Sequence, residues 1–260
     1  MTRLKNFLLI AACIIVFILF TWLLAIPNSV LESAIRDSIS DNGRSSISVS
    51  IEGLRKGLFF SVYIDSLGLE IDGNTALIVT DISSRINPFY LAKKQLAFSL
   101  VGRIGTGNVK GEFKLPESGT LKIDSAEISA IPYLATAGFE GTGLISADLN
   151  LKDNALDITF SIPDADIQGS IHGVPLPINS FRKIQGAIFL EQSTIKITSI
   201  SLDGERGYAR LKGDITHGSM NLVLELMPSF DELSPLEIAL ISKYQISPGY
   251  YVIPIEGKLL

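Results

Sequence analysis

The chain has 260 residues, 47% of them hydrophobic, with a formal net charge of -5 and a mean hydropathy of +0.35. This composition excludes a disordered tail, and the scattered Lys and Arg residues form no basic stripe for nucleic acid. The only cysteine, Cys13, lies in an apolar N-terminal segment, so the rest of the chain must fold without a disulfide.

The start of the chain predicts a cytoplasmic tail followed by a transmembrane anchor. Residues 1–6 contain two basic side chains, and an uncharged run of 20 residues follows from Phe7 to Ile26. A helix that rises about 1.5 Å per residue crosses a hydrocarbon core of about 30 Å over this length. Because the basic residues precede the run, the N-terminus is expected in the cytoplasm and the chain after Pro27 across the membrane.

A cleaved signal peptide is the alternative interpretation of this run. It would need an apolar core of about 7 to 15 residues and a small-x-small cleavage site. The run is longer and ends Trp22-Leu-Leu-Ala-Ile-Pro27, without a suitable pair of small residues. We therefore predict that the anchor is retained, with Trp22 near the membrane interface.

An amphipathic helix and a linker are predicted in residues 27–44. Ser29 and Glu32 have the Ser-x-x-Glu spacing of a capping box. The residues that recur at helical spacing are Leu31, Ala34, Ile35, Ser38 and Ile39. Two positions remain open for this helix: it covers one end of the following domain, or it lies on the outer face of the membrane.

Residues 45–260 are predicted to form a β domain across the membrane from the N-terminus, because the hydrophobic period of the sequence changes there from near 3.6 to 2. Alternating apolar residues occur at Ile47, Val49 and Ile51, at Leu67, Leu69 and Ile71, at Leu156, Ile158, Phe160 and Ile162, and at Leu222, Leu224 and Leu226. Turn signals stand at Asp72-Gly-Asn74, Thr106-Gly-Asn108, Lys152-Asp-Asn154, Asp203-Gly204 and His217-Gly-Ser219. Strands joined by such turns predict an antiparallel meander of about a dozen strands.

Short helices are predicted at residues 87–94, 131–135, 179–183 and 231–243. So few helices cannot cover the apolar face of about a dozen strands. The predicted fold is therefore mainly β: an N-terminal transmembrane helix followed by an elongated, strongly bent antiparallel sheet, like a groove or an open barrel. A sandwich or barrel with a filled core is the alternative.

No catalytic, cofactor-binding or metal-binding residue is predicted, and an enzyme is not expected. The two histidines, His172 and His217, each lie beside a glycine in a predicted turn, and no pair of Cys or His has the spacing of metal ligands. The densest acidic cluster is Asp153, Asp157, Asp164 and Asp166. It lacks the later ligands of a calcium loop, so these acids are expected at solvated strand edges and turns.

Glycines at Gly102, Gly105 and Gly107 do not form a phosphate-binding loop, because no strand-to-helix change and no Lys-Ser/Thr pair follow them. They are better explained as hairpin or bulge glycines. The sequence therefore offers no candidate residue for reaction chemistry, and its main feature is the apolar face of the predicted sheet.

The C-terminal region carries a resemblance to a known family. It reads Phe181-Arg-Lys-Ile-Gln-Gly186-Ala-Ile, then Ile195-Lys-Ile197, and then Leu202-Asp-Gly-Glu-Arg-Gly207-Tyr-Ala-Arg-Leu-Lys-Gly213, and it closes with Gly249-Tyr-Tyr-Val-Ile-Pro-Ile-Glu-Gly257. This succession of glycines and short apolar strands resembles the type II secretion system protein N family, which is similar in turn to AsmA-like envelope proteins.

The resemblance implies a non-catalytic, inner-membrane-anchored periplasmic component of type II secretion, with other components of that machine as its partners. The AsmA-like relatives imply a different function, which is lipid binding or lipid transfer in the cell envelope. On this second interpretation, Asp at inward positions such as Ile158 and Phe160 is expected to abolish lipid binding.

Overall fold

The structure is a computed structural model, and it describes residues 10, 13–14, 16–40, 47–71, 73–91, 95–115, 118–136, 138–153, 155–171, 174–176, 181–192, 194–229, 238–239 and 241–258. The predicted tail of residues 1–6 and His172 lie outside these ranges.

Two helical segments precede the first strand. Helix α1 comprises Val16–Ala25, with a π-helical last turn at Thr21–Ala25, and helix α2 comprises Asn28–Ser40. The chain bends by 77° between them, at Ile26 and Pro27. Within the described residues no single helix is long and apolar enough to cross a membrane, whereas α1 and Asn28–Asp37 meet that criterion as a bent pair.

The rest of the described chain is mainly strand. The strands are β1 Ile47–Glu52, β2 Arg55–Lys56, β3 Ser61–Ile71, β4 Asn74–Asn87, β5 Leu96–Ile104, β6 Gly107–Leu115, β7 Ser118–Glu127, β8 Phe139–Thr142, β9 Leu144–Lys152, β10 Ala155–Ile162, β11 Asp166–Ile171, β12 Val174–Leu176, β13 Phe181–Glu191, β14 Thr194–Gly204, β15 Gly207–Thr216, β16 Ser219–Pro228, β17 Gln245–Ser247 and β18 Tyr250–Lys258.

Fifteen of these strands form one antiparallel sheet, in the order β1-β3-β4-β5-β6-β7-β9-β10-β13-β14-β15-β16-β18-β17, with β2 paired to β3. The other three form a small sheet in the order β12-β11-β8. In the described part of the chain β1 and β17 are the edges of the large sheet and do not pair with each other, so the sheet is open. The predicted mainly β fold with one large antiparallel sheet is confirmed.

Tight turns set the register of the hairpins. Asp153, Gln192 and His217 begin turns with φ of 49°, 52° and 51°, values that Asp, Asn and Gly adopt at least cost. The turns predicted at residues 152–154 and 217–219 are confirmed. The turn predicted at Asp203-Gly204 is wrong, because both residues lie in β14 and Gly204 pairs with Gly207 across the turn.

Two of the predicted short helices are present as single turns. Helix α3 comprises Pro88–Leu91 and helix α4 comprises Pro132–Thr136. The helix predicted at 179–183 is wrong over its last three residues, because they begin β13 and pair with β14. Of the segment at 231–243, only residues 238–239 and 241–243 are described, and they are helical or 3-10.

Helix α2 packs against the start of the large sheet. Its Leu31 and Ile35 contact a buried cluster that contains Val62, Ile64 and Ile82. The amphipathic pattern of residues 29–40 therefore reflects packing over one end of the β domain, which is one of the two positions expected for this helix.

Candidate functional site

The large sheet has one continuous apolar face. Residues directly opposite each other in antiparallel strands lie on the same face, and successive residues alternate between faces. The pairs Ile158↔Ile188 and Ile188↔Ile197 join β10, β13 and β14 on this face. We call the following set the apolar face: Leu149, Leu151, Leu156, Ile158, Phe160, Ile188, Leu190, Ile195, Ile197, Ile200, Leu211, Ile215, Leu222, Leu224, Ile253 and Ile255.

The opposite face of the same strands is polar. Lys196 lies opposite Asp214, which lies opposite Asn221. Arg210 lies opposite Glu225 two rows further along the same face. The sheet therefore divides its side chains sharply, with charges on one side and branched apolar groups on the other.

Most side chains of the apolar face are half-buried. Ile197 and Leu222 are buried, at 8% and 6% exposed, whereas Leu211, Leu224 and Ile253 keep intermediate exposure. Within the described residues, none of the three buried clusters reaches β15, β16 or β18. This part of the apolar face thus retains surface that an apolar ligand can cover.

One end of the apolar face is covered by chain insertions. We call it the distal end; it is the end of the large sheet with the turns after Ile104 and Gly204. There, Ala165 and Ile167 from the small sheet and the loop before it pack on Ile162 and Ile184. The small sheet therefore closes this end of the face.

The proximal end is the opposite end, where helix α1 meets the sheet. The Trp22 ring lies 5.3 Å from the Phe60 ring between centroids, and its Nε1 donates a hydrogen bond to the Gly57 oxygen over 3.0 Å. Trp22 is only 7% exposed. The Trp22 side chain therefore packs within the β domain and is not exposed to lipid, and its depth relative to the membrane stays a prediction.

Lys56 holds the end of α1 against β2. Its ammonium donates hydrogen bonds to the carbonyl oxygens of Trp22 and Leu23, over 3.0 and 2.9 Å, and to that of Ile26. These carbonyls lie at a helix end, where no further turn supplies amide donors. A cation at a helix C-terminus is also favoured by the helix dipole.

An aromatic cavity of about 640 Å³ opens at the proximal end. The Phe98 and Phe113 rings stack within it, with centroids 4.9 Å apart. Other aromatic residues that line it are Phe59, Phe60, Phe89 and Tyr90. Polar side chains, among them Arg85, Glu112 and Lys114, line the rest of the cavity. Its volume is within the range of small-molecule pockets, and the aromatic part of its wall suits an apolar ligand.

Glycines leave room for two of the phenylalanine rings. A Cβ at Gly186 would lie 2.2 Å from Cε1 of Phe160, and a Cβ at Gly119 would lie 2.5 Å from Cδ1 of Phe113. Each ring therefore lies directly over glycine backbone on the neighbouring strand. Both glycines are on the same side of the sheet as the apolar face.

A polar network crosses the other face. Lys212 forms an ion pair with Glu225, and Arg210 donates a hydrogen bond from Nε to Ser199 Oγ over 3.0 Å. The hydrogen bond from Lys212 lowers the pKa of Glu225 below its usual 4.5 despite partial desolvation, and a hydrogen bond from Tyr250 acts in the same direction. This network links β14, β15 and β16 on the polar face.

The residues considered for chemistry are dispersed. His217 lies in the turn between β15 and β16, Asp157 in β10, and Asp166 in β11, where it lies 4.0 Å from Arg182. Across the described ranges no group of three or more His, Cys, Asp or Glu side chains is placed to hold a metal ion. Gly105, with φ of 57°, lies in the hairpin turn that was predicted for it.

The aromatic residues of the proximal end were not singled out from the sequence. Leu58, Phe59 and Phe89 are exposed there by 59%, 63% and 83%. The only signal in the sequence was the Leu-Phe-Phe run next to Gly57, which does not alternate with polar residues.

No family model, no curated protein and no solved structure matches this chain. Any assignment of function therefore rests on its own residues and geometry.

Proposed function

We propose that this protein binds the acyl chains of lipids along the apolar face of its large sheet. The observation that supports this is the continuous register of half-buried Leu and Ile side chains from β9 to β18, with charged residues confined to the other face. Among the described residues no buried cluster covers β15, β16 or β18, and an extended apolar surface of this kind usually binds something. Burial of apolar surface gains about 25 cal/mol per Å², so an acyl chain that covers the exposed parts of several half-buried side chains adds up their contributions.

The face suits an acyl chain better than a polar molecule. The named residues of the face carry no side-chain hydrogen-bonding group, and Tyr251, which lies on the same side, is only 3% exposed. A polar ligand would therefore lose its water contacts with little replacement. An acyl chain incurs no such loss. This is the AsmA-like alternative that the sequence raised.

The proposal includes the predicted membrane attachment. The run from Phe7 to Ile26 holds the chain at the inner membrane, with the residues before Trp22 in the bilayer and Trp22, Leu23 and Ile26 packed on the β domain. The N-terminus is cytoplasmic and the β domain is periplasmic. The exposed side chains of α1, among them Val16, Phe17 and Phe20 at 63%, 71% and 62%, support contact of this segment with lipid. Because Trp22 packs in the β domain, α1 enters the membrane directly from the proximal end.

Leu224 and Val223 provide a matched test. They are adjacent in β16, both are half-buried, and they lie on opposite faces of the sheet. We expect the full chain with Leu224→Asp, purified in detergent, to lose most of its co-purifying lipid in mass spectrometry. The chain with Val223→Asp is expected to keep it.

Circular dichroism decides whether both variants remain folded. Equal lipid occupancy in two folded variants would refute acyl-chain binding on this face. If Leu224→Asp does not fold, Leu224→Asn gives the same comparison with a neutral polar side chain.

A role in type II secretion is a second candidate function. The outer edge of β18 is paired with β17 only at Tyr250 and Tyr251, so among the described residues Val252–Lys258 offer backbone groups to a partner strand. Pro254 limits such pairing to part of the edge. Secreted enzymes retained in the periplasm of a strain that lacks this chain, with the outer membrane intact, would support this role. Normal export with increased permeability would favour lipid transfer.

A further inference from the structure

The turn that joins β2 and β3 has a backbone that its residues do not favour. Phe59 and Phe60 have φ of 54° and 60°, and the Ser61 amide donates a hydrogen bond to the Leu58 oxygen over 3.2 Å. This is the pattern of a type I′ turn, which favours Asn-Gly because both central residues have positive φ. Two consecutive bulky residues in this region are a clear exception.

Packing explains why a phenylalanine is present at position 60, but not why one is present at position 59. Phe60 contacts the buried cluster around Trp22, whereas Phe59 is 63% exposed and Leu58 is 59% exposed. Phe89 of α3 is 83% exposed and lines the same cavity as Phe59 and Phe60. We call Leu58, Phe59 and Phe89 the aromatic tip. Exposed apolar residues at turn positions that favour Asn and Gly are typical of a functional surface.

The position of the aromatic tip beside helix α1 indicates that the tip contacts a lipid bilayer. Phe60, in the same turn, packs on Trp22 of α1, and Lys56 ties the end of α1 to β2. Phe20, two residues before Trp22, is 62% exposed. A bilayer that receives α1 therefore lies beside the tip, and Leu and Phe side chains are those that enter the interface between headgroups and acyl chains.

We propose that the aromatic tip inserts into the bilayer that holds the N-terminal anchor and forms the entry through which acyl chains reach the apolar face. The entry function rests on the proposed lipid binding. The aromatic cavity continues the route, since Phe98 and Phe113 lie in the same rows of the sheet as Leu151 and Leu156.

Insertion is measured with a fluorescent probe on the full chain. Cys13 is the only cysteine, so a Cys13→Ser background takes single labels at Phe59→Cys or Phe89→Cys. Ile246→Cys is the matched control, because Ile246 is 68% exposed and lies in β17 near the distal end. The labelled chains are reconstituted in phosphatidylethanolamine and phosphatidylglycerol vesicles that contain doxyl-labelled acyl chains.

We expect blue-shifted emission and at least twofold quenching of the probes at residues 59 and 89, and neither effect at residue 246. Emission from the two tip probes that matches the control would overturn the insertion.

The entry function has its own readout. The double variant Phe59→Ser and Phe89→Ser is expected to load fluorescent phosphatidylglycerol from vesicles at least fivefold more slowly, with the same amount bound in detergent. An unchanged loading rate would overturn the entry. If the Leu224→Asp variant keeps its lipid while the tip probes are quenched, acyl-chain binding on the face fails but the insertion stands.

Discussion

At the scale of single residues, the apolar face depends on pairs in which a phenylalanine ring lies over a glycine. Phe160 occupies the space above Gly186, and Phe113 occupies the space above Gly119. Such pairs cover glycine backbone that would otherwise weaken a strand. The alternation of apolar residues predicts which side a phenylalanine faces, but it does not predict the cross-strand neighbour that its ring will cover.

Adding a side chain at Gly186 should therefore destabilise the fold. We expect Gly186→Val to lower the free energy of unfolding by about 1 to 3 kcal/mol, because its Cβ and methyl groups meet the Phe160 ring. Ala187→Val is the control, since Ala187 is half-buried on the other face. Urea unfolding of both variants in detergent makes the comparison, and equal stabilities would contradict the ring-over-glycine arrangement.

The ion pair on the polar face gives the stability a defined pH dependence. The pKa of Glu225 is lowered in the folded state by the hydrogen bond from Lys212, so its contribution is complete above the unfolded pKa of about 4.5 and is lost as the pH falls through the lower, folded value. We expect Glu225→Gln to cost about 1 kcal/mol at pH 7 and less below pH ~4. Glu256→Gln, at an exposed position of β18, is the control.

Thermal unfolding between pH 3 and 7 tests this prediction. A stability difference between wild type and Glu225→Gln that is constant over this range would show that the carboxylate makes no net contribution.

At the scale of secondary-structure elements, the turn before β3 is the most unusual. Its two positive-φ phenylalanines represent backbone strain of about 1 kcal/mol or more each. A pattern of hydrophobicity could not predict this turn, because Leu58-Phe59-Phe60 suits a buried strand better than a type I′ turn. The hydrogen bond to Leu58 and the packing of Phe60 on Trp22 maintain it.

Asn at position 59 is expected to stabilise the protein by about 1 kcal/mol, because Asn tolerates positive φ and Phe59 contributes little packing. Phe89→Asn removes an even more exposed ring from helix α3 without relieving such strain, so no stabilisation is expected there. Thermal unfolding in detergent measures the change in stability of each variant relative to wild type. Equal or opposite shifts would show that the Phe59 turn is not strained.

The elements differ in how well the sequence predicts them. The alternation of apolar and polar residues predicts strands such as β10 and β16 directly, since one face of each strand is apolar and the other is polar. The helix predicted at 179–183 is wrong at 181–183, because the cross-strand pairing of Phe181 with Gly204 has no local signal in the sequence. The role of Trp22 was also missed, since its partners Gly57 and Phe60 are more than 30 residues away in the chain.

At the scale of the whole molecule, the sequence predicted an open, mainly β fold with an apolar face, and it could not predict what covers that face. Alternation marks which side of a strand is apolar without specifying its neighbour. The structure shows two different covers: the small sheet lies over the distal end, and the end of α1 lies over the proximal start of the sheet. The surface of β15 and β16 between them carries the proposed function.

The most direct test is photo-crosslinking of the full chain in its native membrane, with benzoylphenylalanine at Leu211 or Leu224 on the apolar face and at Lys212 or Val223 on the polar face. If the sheet binds acyl chains, Leu211 and Leu224 should yield lipid adducts in mass spectrometry, while Lys212 and Val223 should yield none. Lipid adducts that are absent from Leu211 and Leu224, or equal on the two faces, would contradict lipid binding by this sheet.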